Sequence, residues 1–258
     1  MGVQMEAKDR IIVALDTNDP EKAAILARDL SPHVGGFKLG LQFINAGLRL
    51  MVAPQSINEA IANLEAIRLL FAFIKGKIFW DIKLNDISNT VAGASKEIAE
   101  IGVKMFNVHA SAGTEAIKLA VENRGNSLVL GVTVLTSIDE DECRSIFGDT
   151  PGSKVGQFAR MLQQSGADGL ICSPEELELL GRYSLFDDFL KVIPGIRPQW
   201  AVIGDQKRIT TPEKAIRLGA DYLVIGRPIT SPPAEVGSPV DAVKRIVDEI
   251  DKVVNIPR

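Results

Sequence analysis

Two cysteines in 258 residues, Cys143 and Cys172, show no CxxC spacing and argue against a disulfide framework. Histidine is equally scarce. With only His33 and His109, a Cys/His zinc site has too few ligands. Positive charge is not in excess: 29 Lys+Arg against 33 Asp+Glu leave −4, so no global field exists to hold a nucleic-acid backbone. Any anion site must then be local. No stretch approaches the ~18 apolar residues of a membrane span, and the opening MGVQMEAKDR has no apolar leader core. Internal repeats, low-complexity tracts and Pro/Gly-rich linkers are missing too. The expectation is a soluble, cytoplasmic chain with no nucleic-acid or membrane partner. Its 46% hydrophobic and 24% charged residues exclude a disordered chain.

What is present is a regular alternation of short apolar runs and longer amphipathic stretches. The runs are Ile11 to Leu15, Phe37 to Leu39, Ile78 to Ile82, Met105 to Val108, Leu128 to Val134, Gly169 to Cys172, Lys191 to Ile193 and Tyr222 to Ile225. Near-continuous apolarity over so few residues suits strands buried on both faces of a parallel sheet. Between them, Asp19-Pro20, Ser173-Pro174 and Thr211-Pro212 each place a capping residue before a proline suited to the first helical turn. Gly102, Gly166 and Gly219 fall where helices should stop. Eight runs, each followed by a helix, predict an α/β fold, a single-domain (β/α)8 TIM barrel over residues 1–258, with 1–9 as a loose N-terminal extension. A doubly wound sheet is the alternative, but the first turn, LDTNDP, is not glycine-rich. The segment IANLEAIRLLFAFIK within Met51 to Lys77 reads as a helix with a wide apolar face, assigned to packing in the core or at a subunit interface rather than to chemistry.

Barrel enzymes carry their chemistry at the carboxyl ends of the strands. There the charges concentrate: Asp16 closes IIVALD, Lys38 sits in GFKLG, and FWDIKLND places Asp81 and Lys83 two apart, on one face of a strand, with Asp86 beyond. Taken singly, Asp16 reads equally as a helix cap and Asp81 with Lys83 as a structural ion pair. Together, alternating in sign at strand ends, they predict a functional array, because buried charge is expensive unless paired. A second concentration is anionic chemistry late in the chain. IPGIRP offers Gly195 and Arg197, and VIGRP offers Gly226 and Arg227, in the loops after strands seven and eight. Glycine admits a close backbone approach and arginine a fork matched to phosphate oxygens. QWAVIGDQKRI between them reads as a closing loop. Thr133, Thr136 and Ser137 could supply hydroxyls, while His109 and Cys172 read as rim and core residues.

In order from about Arg10 to Thr230, ALD, FKLG, D-x-K-x-x-D (Asp81, Lys83, Asp86), PGIRP, GDQKRI followed by TP, and VIGRPIT resemble the orotidine 5′-phosphate decarboxylase family. The resemblance implies a homodimeric barrel with no metal and no organic cofactor, converting the small molecule orotidine monophosphate to UMP with loss of CO2. It implies Lys83 as the acid that protonates C6 of the pyrimidine, and Asp81 against the substrate carboxylate. Lys38 and Asp86 complete the array, with Asp86 reaching into the partner's site. It further implies Asp16 and Lys38 at the ribose, Ile87 and Thr90 among the substrate contacts, and Thr136 at the pyrimidine. Arg197 and Gln206 would belong to the closing loop, and Gly226 and Arg227 to the phosphate. The chain differs from many relatives in reading Asn85-Asp86-Ile87-Ser88 where they carry His-Asp-Ile-Pro, and in its apolar Trp200, Val202 and Ile203.

Two other readings remain at this level. A Mg2+-dependent sugar-phosphate decarboxylase or aldolase of the same barrel type shares D-x-K-x-x-D but has an acidic residue in place of Lys38. A non-catalytic phosphate-binding barrel would keep the arginines and lose part of the charged array.

Overall fold

A computed structural model describes residues 5–201 and 210–254. The strands are β1 (Ile11–Ala14), β2 (Gly36–Gly40), β3 (Ile78–Leu84), β4 (Met105–His109), β5 (Leu128–Val132), β6 (Gly169–Ile171), β7 (Leu190–Ile193) and β8 (Tyr222–Ile225). Each pairs in parallel with its chain neighbour, and β1 closes onto β8 with Ile12 opposite Val224. The fold is the expected barrel. Its helices are α1 (Pro20–Leu30), α2 (Leu41–Val52), α3 (Ile57–Phe73), α4 (Ser88–Ile101), α5 (Thr114–Glu122) and α6 (Glu140–Phe147). They continue with α7 (Pro151–Gln164), α8 (Pro174–Leu180), α9 (Pro212–Arg217), α10 (Arg227–Thr230) and α11 (Pro239–Val254).

Local chemistry explains the helix ends. Asp19 accepts from the Lys22 N–H at 3.0 Å and Pro20 opens α1. Ser173 and Glu176 cap α8 reciprocally, each side chain accepting from the other's backbone N–H. Such caps satisfy amides that the helix leaves without partners. Gly102 stops α4 in the left-handed conformation, at φ +76°, where a side chain would be strained.

Two apolar layers result from strand alternation. Ile12, Ala14, Phe79, Met105, Leu130, Val192 and Val224 fill the barrel interior. Ile11, Val13, Phe37, Leu39, Phe106 and Val108 point outward and pack under the helices. Neighbouring residues of one strand thus serve different cores, which is why the runs read as continuously apolar.

One expectation needs adjustment and another is sharpened. The N-terminal segment, expected to be loose, is packed from Ala7: a 3-10 turn over Ala7–Arg10 lies against α11, and Ala7 is buried. A Cβ on Gly35 would come within 1.9 Å of the Asp9 carbonyl oxygen, so the turn seats against bare backbone. The apolar face of α3 packs in part within this chain, against α1 and α2. Leu70 is buried, but Ile57, Ile61, Leu64 and Leu69 are exposed, and Leu41, Leu48, Met51 and Val52 of α2 extend the same apolar surface. Two helices stand between β2 and β3, and their combined apolar surface exceeds what the sheet can cover. Among the described residues, no helix is long and apolar enough to cross a membrane.

Candidate active site

Four side chains at the carboxyl ends of β1, β2 and β3 form one row of alternating charge. Asp16 follows β1, held there as the Leu15 N–H bonds the Lys38 carbonyl at 3.0 Å. Lys38 Nζ lies 2.9 Å from Asp16 Oδ1 and 3.3 Å from Asp81 Oδ2, and Lys83 Nζ lies 2.6 Å from Asp81 Oδ1. Exposure changes along the row: the Asp16 side chain is 51% exposed, Asp81 only 10% and Lys83 32%. The most deeply placed charge is therefore a carboxylate between two ammonium groups. Burial works to raise the Asp81 carboxyl, but Lys38, Lys83 and a hydrogen bond from Asn107 outweigh it and hold its pKa below the ordinary aspartate value. Asp81 is ionised at neutral pH.

The backbone at Lys83 is unusual. Its φ is +52°, the one positive φ at a non-glycine residue among those described, and the β3–β4 register slips between Trp80 and Leu84. Gly40 provides room for the row, since a Cβ there would stand 2.9 Å from Lys38 Nζ and 3.4 Å from Asp16 Oδ1. His109 ends β4 nearby. Burial and then the Lys83 ammonium push its pKa below the usual histidine range, so it stays neutral and adds no cation.

Lys38, Asp81 and Lys83 form one wall of a cavity of about 200 Å3 whose other wall is apolar, with Val132, Ile171 and Val224 among its residues. Such a cavity offers a ligand charged groups on one side and an apolar surface on the other. Thr136 lines it, as expected. Thr133 does not: it is buried and its hydroxyl donates to the Ile171 carbonyl at 2.9 Å. Ser137 is exposed and lies off the cavity wall, whereas Cys172, fully buried, contributes to the wall. A larger cavity, about 310 Å3, lies between Met5–Lys8 and α11, away from the charged row.

Pro194, after β7, also borders the site, and three residues on Arg197 is buried, with Nη1 donating to the Ile196 carbonyl at 2.9 Å. Burial first, and the neighbouring Arg227 guanidinium second, hold Arg197 below the ordinary arginine pKa. Two guanidinium groups therefore share one region. Arg227 is exposed at the start of α10, with Gly226 immediately before it. Gln206, Val202 and Ile203 lie outside the described residues; Trp200 packs against the outer core.

Asp86, Ile87 and Thr90 stand apart from the row. All three are exposed around the start of α4, and Asp86 Oδ1 accepts from the Ile87 N–H at 2.7 Å. Among the described residues, no ion pair ties Asp86 to Lys83. Sequence reading missed Asn107 and Gly40. Asn107 is fully buried on β4 and bonds both Asp81 and Lys83. Its one advance signal was a polar residue inside the otherwise apolar run MFNVH.

A closed parallel barrel with a row of carboxylates and ammonium groups over an apolar cavity at its carboxyl mouth defines a barrel enzyme. A family profile described as orotidine 5′-phosphate decarboxylase / HUMPS family matches residues 9–246, and the chain belongs to that family, as a carboxy-lyase. It is 40% identical to orotidine 5′-phosphate decarboxylase of Syntrophomonas wolfei, over 96% of this chain and 100% of the relative. The corresponding protein of Heliobacterium modesticaldum is also 40% identical, over 95% and 97%. Among solved structures, orotidine 5′-phosphate decarboxylase from Lactobacillus acidophilus is similar at 31% identity with a TM-score of 0.70, covering 93% of this chain and 98% of that one.

Proposed function

We propose that this enzyme decarboxylates orotidine 5′-phosphate to UMP. The observation that carries the reading is the row Asp16–Lys38–Asp81–Lys83 set against an apolar-walled cavity. Asp81 lies against the substrate carboxylate. As the C6–carboxylate bond breaks, CO2 leaves and the electron pair stays on C6, where it takes a proton from the Lys83 ammonium. Lys83, left neutral, is reprotonated from solvent. A fixed cation where negative charge develops stabilises the transition state more than the ground state. Repulsion between two carboxylates ~4 Å apart amounts to about 4 kcal/mol at an effective dielectric of ~20. Enzymes typically remove ~8–23 kcal/mol from a barrier, so Lys83 and the closed site contribute more than the repulsion does.

The remaining roles follow the same placement. Asp16 and Lys38 meet the ribose hydroxyls and Thr136 the pyrimidine. Arg197 and Arg227, each in the other's field, hold the phosphate dianion with Gly226; Gln206, outside the described residues, is a further substrate contact in this reading. Exposure of Asp86, Ile87 and Thr90, away from their own chain's row, supports a homodimer in which each copy completes the other's site. The exposed apolar surface of α2 and α3 supports association as well. No metal and no organic cofactor enters this scheme. Lys38 supports that choice, because a divalent cation beside Asp16 and Asp81 would meet an ammonium already bound to both.

The test is turnover of orotidine monophosphate in EDTA, followed by near-ultraviolet absorbance. Rapid formation of UMP upholds the reading. No turnover by folded protein, with activity on a sugar phosphate once Mg2+ is added, overturns it. Mixing Asp86→Ala with Lys83→Ala subunits should restore part of the activity; confirmed mixed dimers without recovery would remove the shared site.

A further inference from the structure

We infer that Asn107 is the positioning residue that sets the geometry of the Asp81–Lys83 pair. The inference rests on the reading of Lys83 as the proton donor. Strand alternation places Met105, Asn107 and His109 on the inner face of β4, so Asn107 points toward the row. Its side chain is fully buried, and both ends of the carboxamide are used. Nδ2 donates to Asp81 Oδ1 at 2.7 Å, and Oδ1 accepts from the backbone N–H of Lys83 at 2.7 Å. The second bond settles which end is which, because a backbone N–H needs an acceptor.

The bond to Lys83 compensates for a defect in the sheet. Trp80 pairs with Phe106 and Leu84 with Val108, so β3 takes four steps where β4 takes two. Residues between those pairs lose regular ladder partners, and the backbone turns left-handed at Lys83. A lysine in that conformation persists only where its surroundings determine it. Asn107 supplies the missing acceptor from a side chain and thereby fixes the direction in which Lys83 leaves the strand.

The bond to Asp81 has a different effect. Asp81 Oδ1 takes two donors, the Asn107 amide and Lys83 Nζ at 2.6 Å, while Oδ2 faces Lys38. A neutral donor from one side holds the carboxylate plane without adding a third cation. An aspartate at position 107 would accept from Lys83 equally well but set a second carboxylate against Asp81, and the pair would hold a proton to higher pH. Asparagine does both jobs at every working pH.

The experiment compares wild type with Asn107→Ser and the equally shaped Asn107→Asp. Folding is read by thermal unfolding, kcat and KM are measured across pH, and the 15N resonance of Lys83 Nζ is assigned with Lys83→Arg. Asn107→Ser should lower kcat on the order of 100-fold with KM changed less than about threefold, as expected for a misplaced reacting group. Asn107→Asp should move the acid limb of the kcat profile to higher pH. Both should shift the Lys83 resonance. Folded variants with wild-type kcat, pH profile and Lys83 resonance overturn the inference. So does failure of both variants to fold, which assigns Asn107 to the core. If the wild type does not decarboxylate orotidine monophosphate, the proposed reaction falls, and the Lys83 resonance alone decides the role of Asn107.

Discussion

The two sides of the barrel mouth are built on different principles. On the β1–β3 side, four charges are engaged with one another at 2.6–3.3 Å within one chain. On the β7–β8 side, two arginines share a region, one buried and one exposed, at loops rather than inside strands. The first side is preorganised by the sheet. The second is carried by the loops that follow β7 and β8. In the proposed reaction this divides labour: the side that stabilises developing charge is rigid, and the side that grips the distant phosphate supplies binding energy.

That division can be broken from either side. Lys83→Ala removes the proton donor and should lower kcat by about 10^4-fold or more, with the fold retained; single-turnover kinetics and circular dichroism check both. Arg227→Ala strikes the other side. It should raise KM by about 10- to 100-fold, the value of one lost charged hydrogen bond, with a smaller change in kcat. A larger fall in kcat than rise in KM would show that the two sides are not separable.

Gly40→Ala sharpens the comparison, because Gly40 has φ −103°, which any residue adopts. The new Cβ would press on Lys38 Nζ alone among close contacts, so kcat/KM should fall about tenfold while the melting temperature stays near wild type. The smallest effect is on stability in acid. Because the fold holds the Asp81 pKa below its unfolded value, its contribution is present above the ordinary aspartate pKa and is lost as pH falls through the depressed one. Urea midpoints measured down to strongly acid pH should therefore decline less steeply in Asp81→Asn than in wild type.

Where the sequence was legible, the reason is periodicity. Buried parallel strands are apolar on both faces, so Ile11 to Leu15 and Tyr222 to Ile225 announce themselves without their partners. The charges were legible for the opposite reason: Lys38 and Asp81 are conspicuous because apolar runs exclude charge. Asn107 carries none, and its importance depends on the slipped register opposite it, a property of two strands rather than one. Gly40 escaped notice because its contribution is an absent atom. Thr133 and Thr136 are three apart in one loop, and no pattern says which hydroxyl faces the cavity. How α3 divides between buried Leu70 and exposed Ile61 and Leu64 was not legible, because apolarity reveals that a surface wants covering but not whether the same chain covers it.

Closure of β1 onto β8 has a consequence for how this protein meets others. A closed sheet offers no unpaired row of backbone amides and carbonyls among the described residues, so strand addition, the usual route to fibrils and to peptide capture at a sheet edge, has no template. The proposed pairing of copies is therefore left to helices and loops. In the proposed dimer those contacts are specified by side chains, so single substitutions on α2, α3 or the start of α4 should tune association while the barrel stays intact.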